Sequence, residues 1–153
     1  MTNEHFKPRL TTKPACRVAG IDRDRFNEFV AAGDYDCAPA TIPGRARLFD
    51  ANALLSLVLF RQLMERGFPA KLAGHIACTV GRAAAENPEA DEIVYYQLQV
   101  GTAIALRVDS TLNISDQVSG LGIAWRMGHN VAWLRRIVEH GIQDEISIIG
   151  EDD

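Results

Sequence analysis

The chain has 153 residues, of which 47% are hydrophobic and 24% carry a charge. This composition is ordinary for a globular protein and argues against a disordered chain, and the length allows one ordinary domain or two very small ones. No apolar run reaches the roughly 18 residues that suggest a membrane helix, and residues 1–7 lack the apolar core of a signal peptide. We therefore expect a cytoplasmic protein with no membrane partner.

The formal net charge of −4 hides an asymmetry between the two halves of the chain. Residues 1–85 carry 12 Lys and Arg against 8 acids, a balance of +4, whereas residues 86–153 carry 4 Arg against 12 acids, a balance of −8. A polyanion-binding half joined to an acidic half gives this pattern. An excess of four is modest and many solvated surfaces match it, so the charge supports nucleic-acid binding without deciding it.

The start of the chain predicts two helices joined by a tight turn. The first helix starts near Thr12, which serves as its cap, and Gly20 permits the sharp turn that follows. Asp22 then caps a second helix over residues 23–32, which Gly33 ends.

A loop and two longer helices complete the first half. Residues 34–46 contain two prolines and no helical period, so they predict a loop or a small hairpin. Asp50 caps a helix over residues 51–66, whose apolar stripe is wide enough for a core element. A further helix near residues 70–86 ends at Asn87-Pro88.

Beyond Pro88 the residues favour strands, because β-branched and aromatic side chains replace the helical pattern. The predicted elements are a hairpin over residues 92–100 and 103–108, a third strand over 121–127, a short helix over 131–140 that Asn130 caps and Gly141 follows, and a last strand over 146–149. We therefore predict an α+β fold in two units, with a mostly helical winged helix-turn-helix domain over residues 1–88. A small β-rich α+β unit over residues 89–153 would dimerise or bind an effector or partner.

Three cysteines, at positions 16, 37 and 78, are widely separated and form no CxxC pair. An odd number at this spacing argues against a disulfide framework and against a thiolate zinc site, so we expect small buried hydrophobes. His75 and Cys78 lie one helical turn apart, but two such ligands alone do not predict a metal. The chain has no GxSxG, P-loop or GxGxxG motif, so we predict no enzyme, catalytic residue or cofactor.

The predicted first turn has the residues that a helix-turn-helix requires. Small residues occupy the crossing of the two helices, a glycine lies in the turn, and apolar residues can lock the second helix onto the first. These residues are Ala15, Ala19, Gly20, Ile21, Phe26 and Phe29.

Residues 15–72 resemble the MerR-like winged-helix family. The resemblance lies in Val18-Ala19-Gly20-Ile21, Phe26 through Gly33, Arg47-Leu48-Phe49-Asp50, the apolar helix with Leu63, and Gly67-Phe68-Pro69. It implies a turn, a wing and a following helix pair that bind duplex DNA, usually as a dimer. Asn27-Glu28-Phe29 stand where the family has Arg-Tyr-Tyr, and a β-rich segment replaces the family's long dimerising helix.

The predicted DNA-binding residues lie on the second helix and in the basic loop. Arginine and asparagine on the outward face of that helix can read base edges in the major groove. The loop arginines would contact phosphate or the minor groove, and the resemblance implies two further contacts, from Arg17 and Lys71. The complete predicted set is Arg17, Arg23, Arg25, Asn27, Arg45, Arg47 and Lys71.

Three functions remain open at this stage. The first is a transcriptional regulator that binds double-stranded DNA as a homodimer and uses residues 89–153 to dimerise, to sense a ligand or to contact another protein. The second is a phage-type structural DNA-handling protein, such as a terminase small subunit or an excisionase-like factor. The third is a small-molecule-binding or interaction domain in which the helical half is only scaffold. The alternatives for four aromatic residues are a ligand pocket, a small core or a subunit interface; these residues are Trp125, Trp133, Tyr95 and Tyr96.

Overall fold

A computed structural model describes residues 8–99, 103–107 and 122–152 of the chain. These residues form, in order, α1 Thr12–Ala19, α2 Arg23–Ala31, α3 Ala51–Glu65, α4 Ala70–Glu86, β1 Glu92–Leu98, β2 Ala103–Arg107, β3 Ile123–Asn130 and α5 Val131–Asp152. The three strands form one sheet in the order β2-β1-β3. The fold is therefore α+β, as predicted, and none of the described helices is long and apolar enough to cross a membrane.

The first two helices follow the predicted pattern closely. The α1 helix ends at Gly20, whose φ of 75° is the left-handed conformation that glycine adopts readily. Asp22 caps α2, since its side chain accepts a hydrogen bond from the backbone N–H of Arg25 at 3.1 Å. The cap of α1 was predicted one residue too late, because Thr11 holds the N-cap position and its side chain makes no capping bond.

Residues 32–50 form the α2–α3 loop, so of the two predicted alternatives, a loop or a small hairpin, the loop is correct. Aromatic contacts hold this loop in place. It forms no strand, and its one bridge pairs Phe49 with Leu10. The buried ring of Tyr35 packs on Phe60 of α3 with centroids 4.8 Å apart, and Phe49 packs on Phe26 of α2 at 5.8 Å. These contacts fix the loop and α2 on the same side of α3.

The α3 and α4 helices form the centre of the core. Residues 54–60 of α3 are all buried, as expected for a helix that is apolar on nearly every side. Gly81 of α4 faces Ser56, and a Cβ at this position would overlap the Ser56 hydroxyl. The glycine therefore allows the two helices to approach closely.

The sheet confirms the two predicted hairpin strands, but the third strand lies further along the chain than predicted. Strand β1 pairs antiparallel with β2, with Tyr95 opposite Ala105, and with β3, with Tyr95 opposite Met127. The third strand runs over Ile123–Asn130 rather than 121–127. The predicted hairpin turn lies outside the described residues.

The predictions for the end of the chain were wrong beyond residue 140. Asn130 does cap a helix, because its Oδ1 accepts a hydrogen bond from the Trp133 N–H at 3.0 Å. That helix, α5, continues to Asp152 and includes the residues predicted as a last strand. Gly141 does not end the helix, because it lies against Val18 of α1, and a Cβ there would overlap the valine side chain. The glycine permits close packing of α5 on α1.

One hydrophobic core includes residues from both sides of Pro88. Ile93 and Tyr95 of the sheet and Val131, Leu134 and Val138 of α5 are buried in the same cluster as the residues of α3 and α4. The two predicted units therefore pack against each other, while their assignment as separate domains stays a prediction.

The expectation of three unpaired cysteines was wrong. Cys37 of the α2–α3 loop forms a disulfide with Cys78 of α4, which is 41 positions further along the sequence, and their Cα atoms are 5.7 Å apart. The loop reaches α4 at Gly74, where a Cβ would overlap the backbone carbonyl of Asp34. Cys16 is free and buried, as predicted.

Candidate nucleic-acid interface

The α2 helix presents its predicted DNA-binding residues to solvent. Arg23, Arg25 and Asn27 are all exposed, while Phe26 is fully buried and fixes the helix on the core. Arg23 and Asn27 are four residues apart and so lie on one side of the helix. Arg25 lies on the other side, with its guanidinium 5.4 Å from the centre of the Phe29 ring.

Two exposed acids lie between these two rows of side chains. Asp24 and Glu28 are four residues apart and, at 100° per residue, occupy the part of α2 opposite the buried Phe26. Their carboxylates would repel phosphate, but a carboxylate can accept a hydrogen bond from cytosine N4 in the major groove. The exposed surface of α2 is therefore of mixed charge.

Arg17 has a partner that sequence reasoning missed. Its Nη2 lies 2.6 Å from Oε1 of Glu145 on α5, and its Nε donates to the same oxygen at 2.8 Å. The hydrogen bond to Glu145 raises the pKa of the Arg17 guanidinium above its ordinary value. Because the two residues are 128 positions apart in sequence, no local pattern indicates this pair. The Arg17 side chain remains 48% exposed, so its contact with DNA stays a prediction.

The two loop arginines differ in how they are held. Arg45 is exposed. Arg47 is half-buried and donates from Nη1 to the backbone carbonyl of Pro39 within the same loop. Arg47 therefore helps to fix the shape of the loop, and Arg45 is the freer of the two to reach a ligand. Lys71 is exposed in the first turn of α4.

A cleft between α1 and α2 brings two of the predicted residues together. It has a volume of about 290 Å³, and Arg17 and Arg23 lie on its walls together with Lys13. Asp22 and Asp24 also line it. Lys13 was not among the predicted site residues, although it belongs to the basic half of the sequence.

The aromatic residues that the sequence suggested as the lining of a pocket do not lie together, because some are in the core and others are at the surface. Tyr95 is buried and stacks on Trp125 with ring centroids 5.1 Å apart. Trp133 is 44% exposed at the start of α5 and borders a separate cavity beside His129.

One group of possible metal ligands occurs among the described residues. The ligand atoms of Asp36, Cys37 and Cys78 lie within 4.8 Å of one another. The two sulfurs are bonded to each other, and a disulfide offers no thiolate to a metal ion. His75 belongs to a different contact, because its ring packs edge-on against Tyr95 at 6.1 Å.

Models of known protein families and curated proteins give no match to this sequence. The MerR-like resemblance therefore depends on residues 15–72 alone.

Proposed function

We propose that this protein is a non-enzymatic transcriptional regulator that binds double-stranded DNA through a winged helix-turn-helix. The observation that carries the proposal is the exposure of Arg23, Arg25 and Asn27 on a helix held by a tight glycine turn and a buried phenylalanine. A second helix that projects polar side chains from such a turn is the element that enters the major groove in this class. We also propose a cytoplasmic location; the Cys37–Cys78 disulfide is unusual for that compartment, where most cysteines are kept reduced.

The α2–α3 loop supplies the wing in this proposal. Its aromatic anchors, Tyr35 and Phe49, hold it beside α2, and the Cys37–Cys78 bond fixes it to α4. Arg45 extends from this loop into solvent. A cation at this place would contact backbone phosphate, which sets the position of a protein on DNA without reading the sequence.

A homodimer completes the proposed regulator. One helix-turn-helix contacts few base pairs, so two copies on two half-sites are the usual means to useful affinity. Ile146 and Ile148, on the C-terminal part of α5, are 44% and 46% exposed. The two are two residues apart in the helix and so project in different directions, which makes them separate apolar contacts rather than one patch. We propose that such contacts of α5 serve self-association or binding of another protein.

The same exposed isoleucines also suit the second candidate, a phage-type structural protein. A packaging component would use the surface of α5 to build a ring rather than a dimer. Mass measurement of the purified chain in solution separates the two, because a dimer favours the regulator and a ring of many subunits favours packaging.

A charge-matched pair of triple variants tests DNA binding. Arg23→Ala, Arg25→Ala and Arg45→Ala together remove three exposed cations from the proposed interface while leaving the backbone capping bond of Asp22 intact. We expect the affinity for duplex DNA from the gene's own upstream region to fall by at least about 100-fold, because each such contact contributes about 1–3 kcal/mol. Fluorescence anisotropy of labelled duplex measures the affinity.

The control removes three exposed arginines elsewhere, Arg82, Arg126 and Arg136. It changes the net charge by the same amount, so we expect only a small loss. Equal losses of DNA affinity in the two variants would show that binding depends on net charge alone. Unchanged affinity in the first variant would reject this interface.

A further inference from the structure

A cavity of about 230 Å³ lies where α3, β3 and α5 meet. Its polar lining includes Gln62, Arg66 and His129, and its apolar lining includes Leu59, Trp133 and Leu134. Pockets for drug-sized ligands are larger, about 300–1,000 Å³. The cavity therefore suits a small molecule with one polar end and one flat apolar end.

His129 gives this cavity a polar group in need of a partner. Only 6% of the residue is exposed, and its Nε2 is buried with no hydrogen-bond partner among the described residues. Buried nitrogen atoms without a partner are rare and destabilise the folded protein. His129 lines the cavity, but Nε2 itself is closed to solvent. A ligand in the cavity would supply the missing hydrogen bond once the imidazole ring turns toward it.

The charges around the cavity favour an anion. Arg66 is exposed at the rim, directly after α3. The N-terminus of the 22-residue helix α5 also borders the cavity at Asn130 and Trp133. The N–H groups of Ala132 and Trp133 are already bonded to the Asp91 carbonyl and the Asn130 side chain, so the helix contributes the partial positive charge of its dipole and not free donors.

The acids near the cavity do not line it. Glu65 of α3 forms an ion pair with Arg61 at 2.6 Å. The Glu92 side chain lies beside Gly128, which lines the cavity, but Glu92 does not line the cavity itself. No described carboxylate therefore lines the cavity beside Arg66 and His129.

We propose that this cavity binds a small carboxylic acid with a flat apolar body. The carboxylate is held by Arg66 and Gln62 and accepts a hydrogen bond from Nε2 of His129. The apolar body packs between the indole of Trp133 and the side chains of Leu59 and Leu134. The proposal does not depend on DNA binding, because none of the predicted DNA-binding residues lines this cavity.

Titration of the full chain with benzoate and with benzamide tests the proposal. The two probes share size and shape, but only benzoate carries a charge. We expect benzoate to bind at millimolar concentration or below, benzamide to bind at least about 10-fold more weakly, and the NMR signals of the His129 ring and the Trp133 indole to shift with benzoate.

Variants at the rim make the test specific. Arg66→Gln is expected to weaken benzoate binding at least about 10-fold, whereas Arg82→Gln, at another exposed arginine, leaves it unchanged. Acetate, which lacks the flat body, is expected to bind more weakly than benzoate. Absence of benzoate binding, equal binding of benzoate and benzamide, or full affinity in Arg66→Gln would each overturn the proposal.

Discussion

Loss of the Cys37–Cys78 disulfide is expected to lower the free energy of unfolding by about 2–4 kcal/mol. The bond joins residues that are 41 positions apart in sequence, so breaking it restores much conformational freedom to the unfolded chain. It also joins the α2–α3 loop to α4, and the folded protein loses this anchor when the bond is reduced. Denaturant unfolding with and without a dithiol reductant measures the difference.

A double variant, Cys37→Ser with Cys78→Ser, serves as the control. With or without the reductant, its free energy of unfolding should be as low as that of the reduced natural chain. An unchanged unfolding midpoint of the natural chain after reduction would contradict the assignment of a stabilising bond.

Thiol labelling of the denatured chain checks the same bond independently. Cys16 is the free cysteine, and burial raises the pKa of its thiol to about 11, so it reacts slowly in the folded protein. We expect the unfolded, unreduced chain to take up label at Cys16 alone and the reduced chain to take it up at all of its cysteines. Full labelling without reduction would show that the bond does not form.

The second large effect is a loss of stability in weak acid, caused by His129. Burial, helped by the nearby charge of Arg66, lowers the pKa of this imidazole from 6.5 to about 4. The unfolded chain therefore binds more protons than the folded one between these values, so the free energy of unfolding falls as the pH drops through this window. The contribution of neutral His129 to the free energy of unfolding amounts to about 3 kcal/mol. It is complete above about pH 6.5 and is lost near about pH 4.

Urea unfolding of three proteins at several pH values between these limits isolates the contribution. His129→Gln should show a flatter pH dependence than the natural chain, because glutamine does not titrate. His75→Gln changes an exposed histidine and should follow the natural chain. An equal pH dependence in the natural chain and His129→Gln would contradict the assignment.

Local signals in the sequence were sufficient for most helix and strand positions. Asp22, Asp50 and Asn130 cap the helices that the sequence predicted them to cap, because the oxygen of each side chain accepts a hydrogen bond from a backbone N–H three residues later. The α4 helix has its predicted bounds, since a proline directly follows its cap residue.

The errors arose where distant contacts decide the structure. Gly141 has the same local appearance as a helix-ending glycine, yet its lack of a side chain accommodates Val18. The β-branched residues 146–149 favour a strand by propensity, but they continue α5, which contacts α1 and α3 and buries Val138 and Ile142 in the core. Tertiary packing overrides propensity in such segments.

The candidate sites were predictable to different degrees. Exposure of Arg23, Arg25 and Asn27 follows from helical spacing around the buried Phe26, so the sequence located that surface. The cavity at His129 could not be located in this way, because its residues come from three segments that meet only after folding. The Arg17–Glu145 pair has the same origin.

DNA binding by α2 and the α2–α3 loop is tested most directly by a salt titration of the purified chain on duplex DNA. Between about 50 mM and about 300 mM salt, the logarithm of the affinity should fall linearly with the logarithm of the salt concentration, with a slope of about −0.9 for each phosphate that the protein neutralises. The Arg23, Arg25 and Arg45 triple variant should show a shallower slope, by about 1 for each phosphate that it no longer neutralises. A DNA affinity that is independent of ionic strength, or no measurable binding at the lowest salt concentration, would contradict DNA binding through this surface.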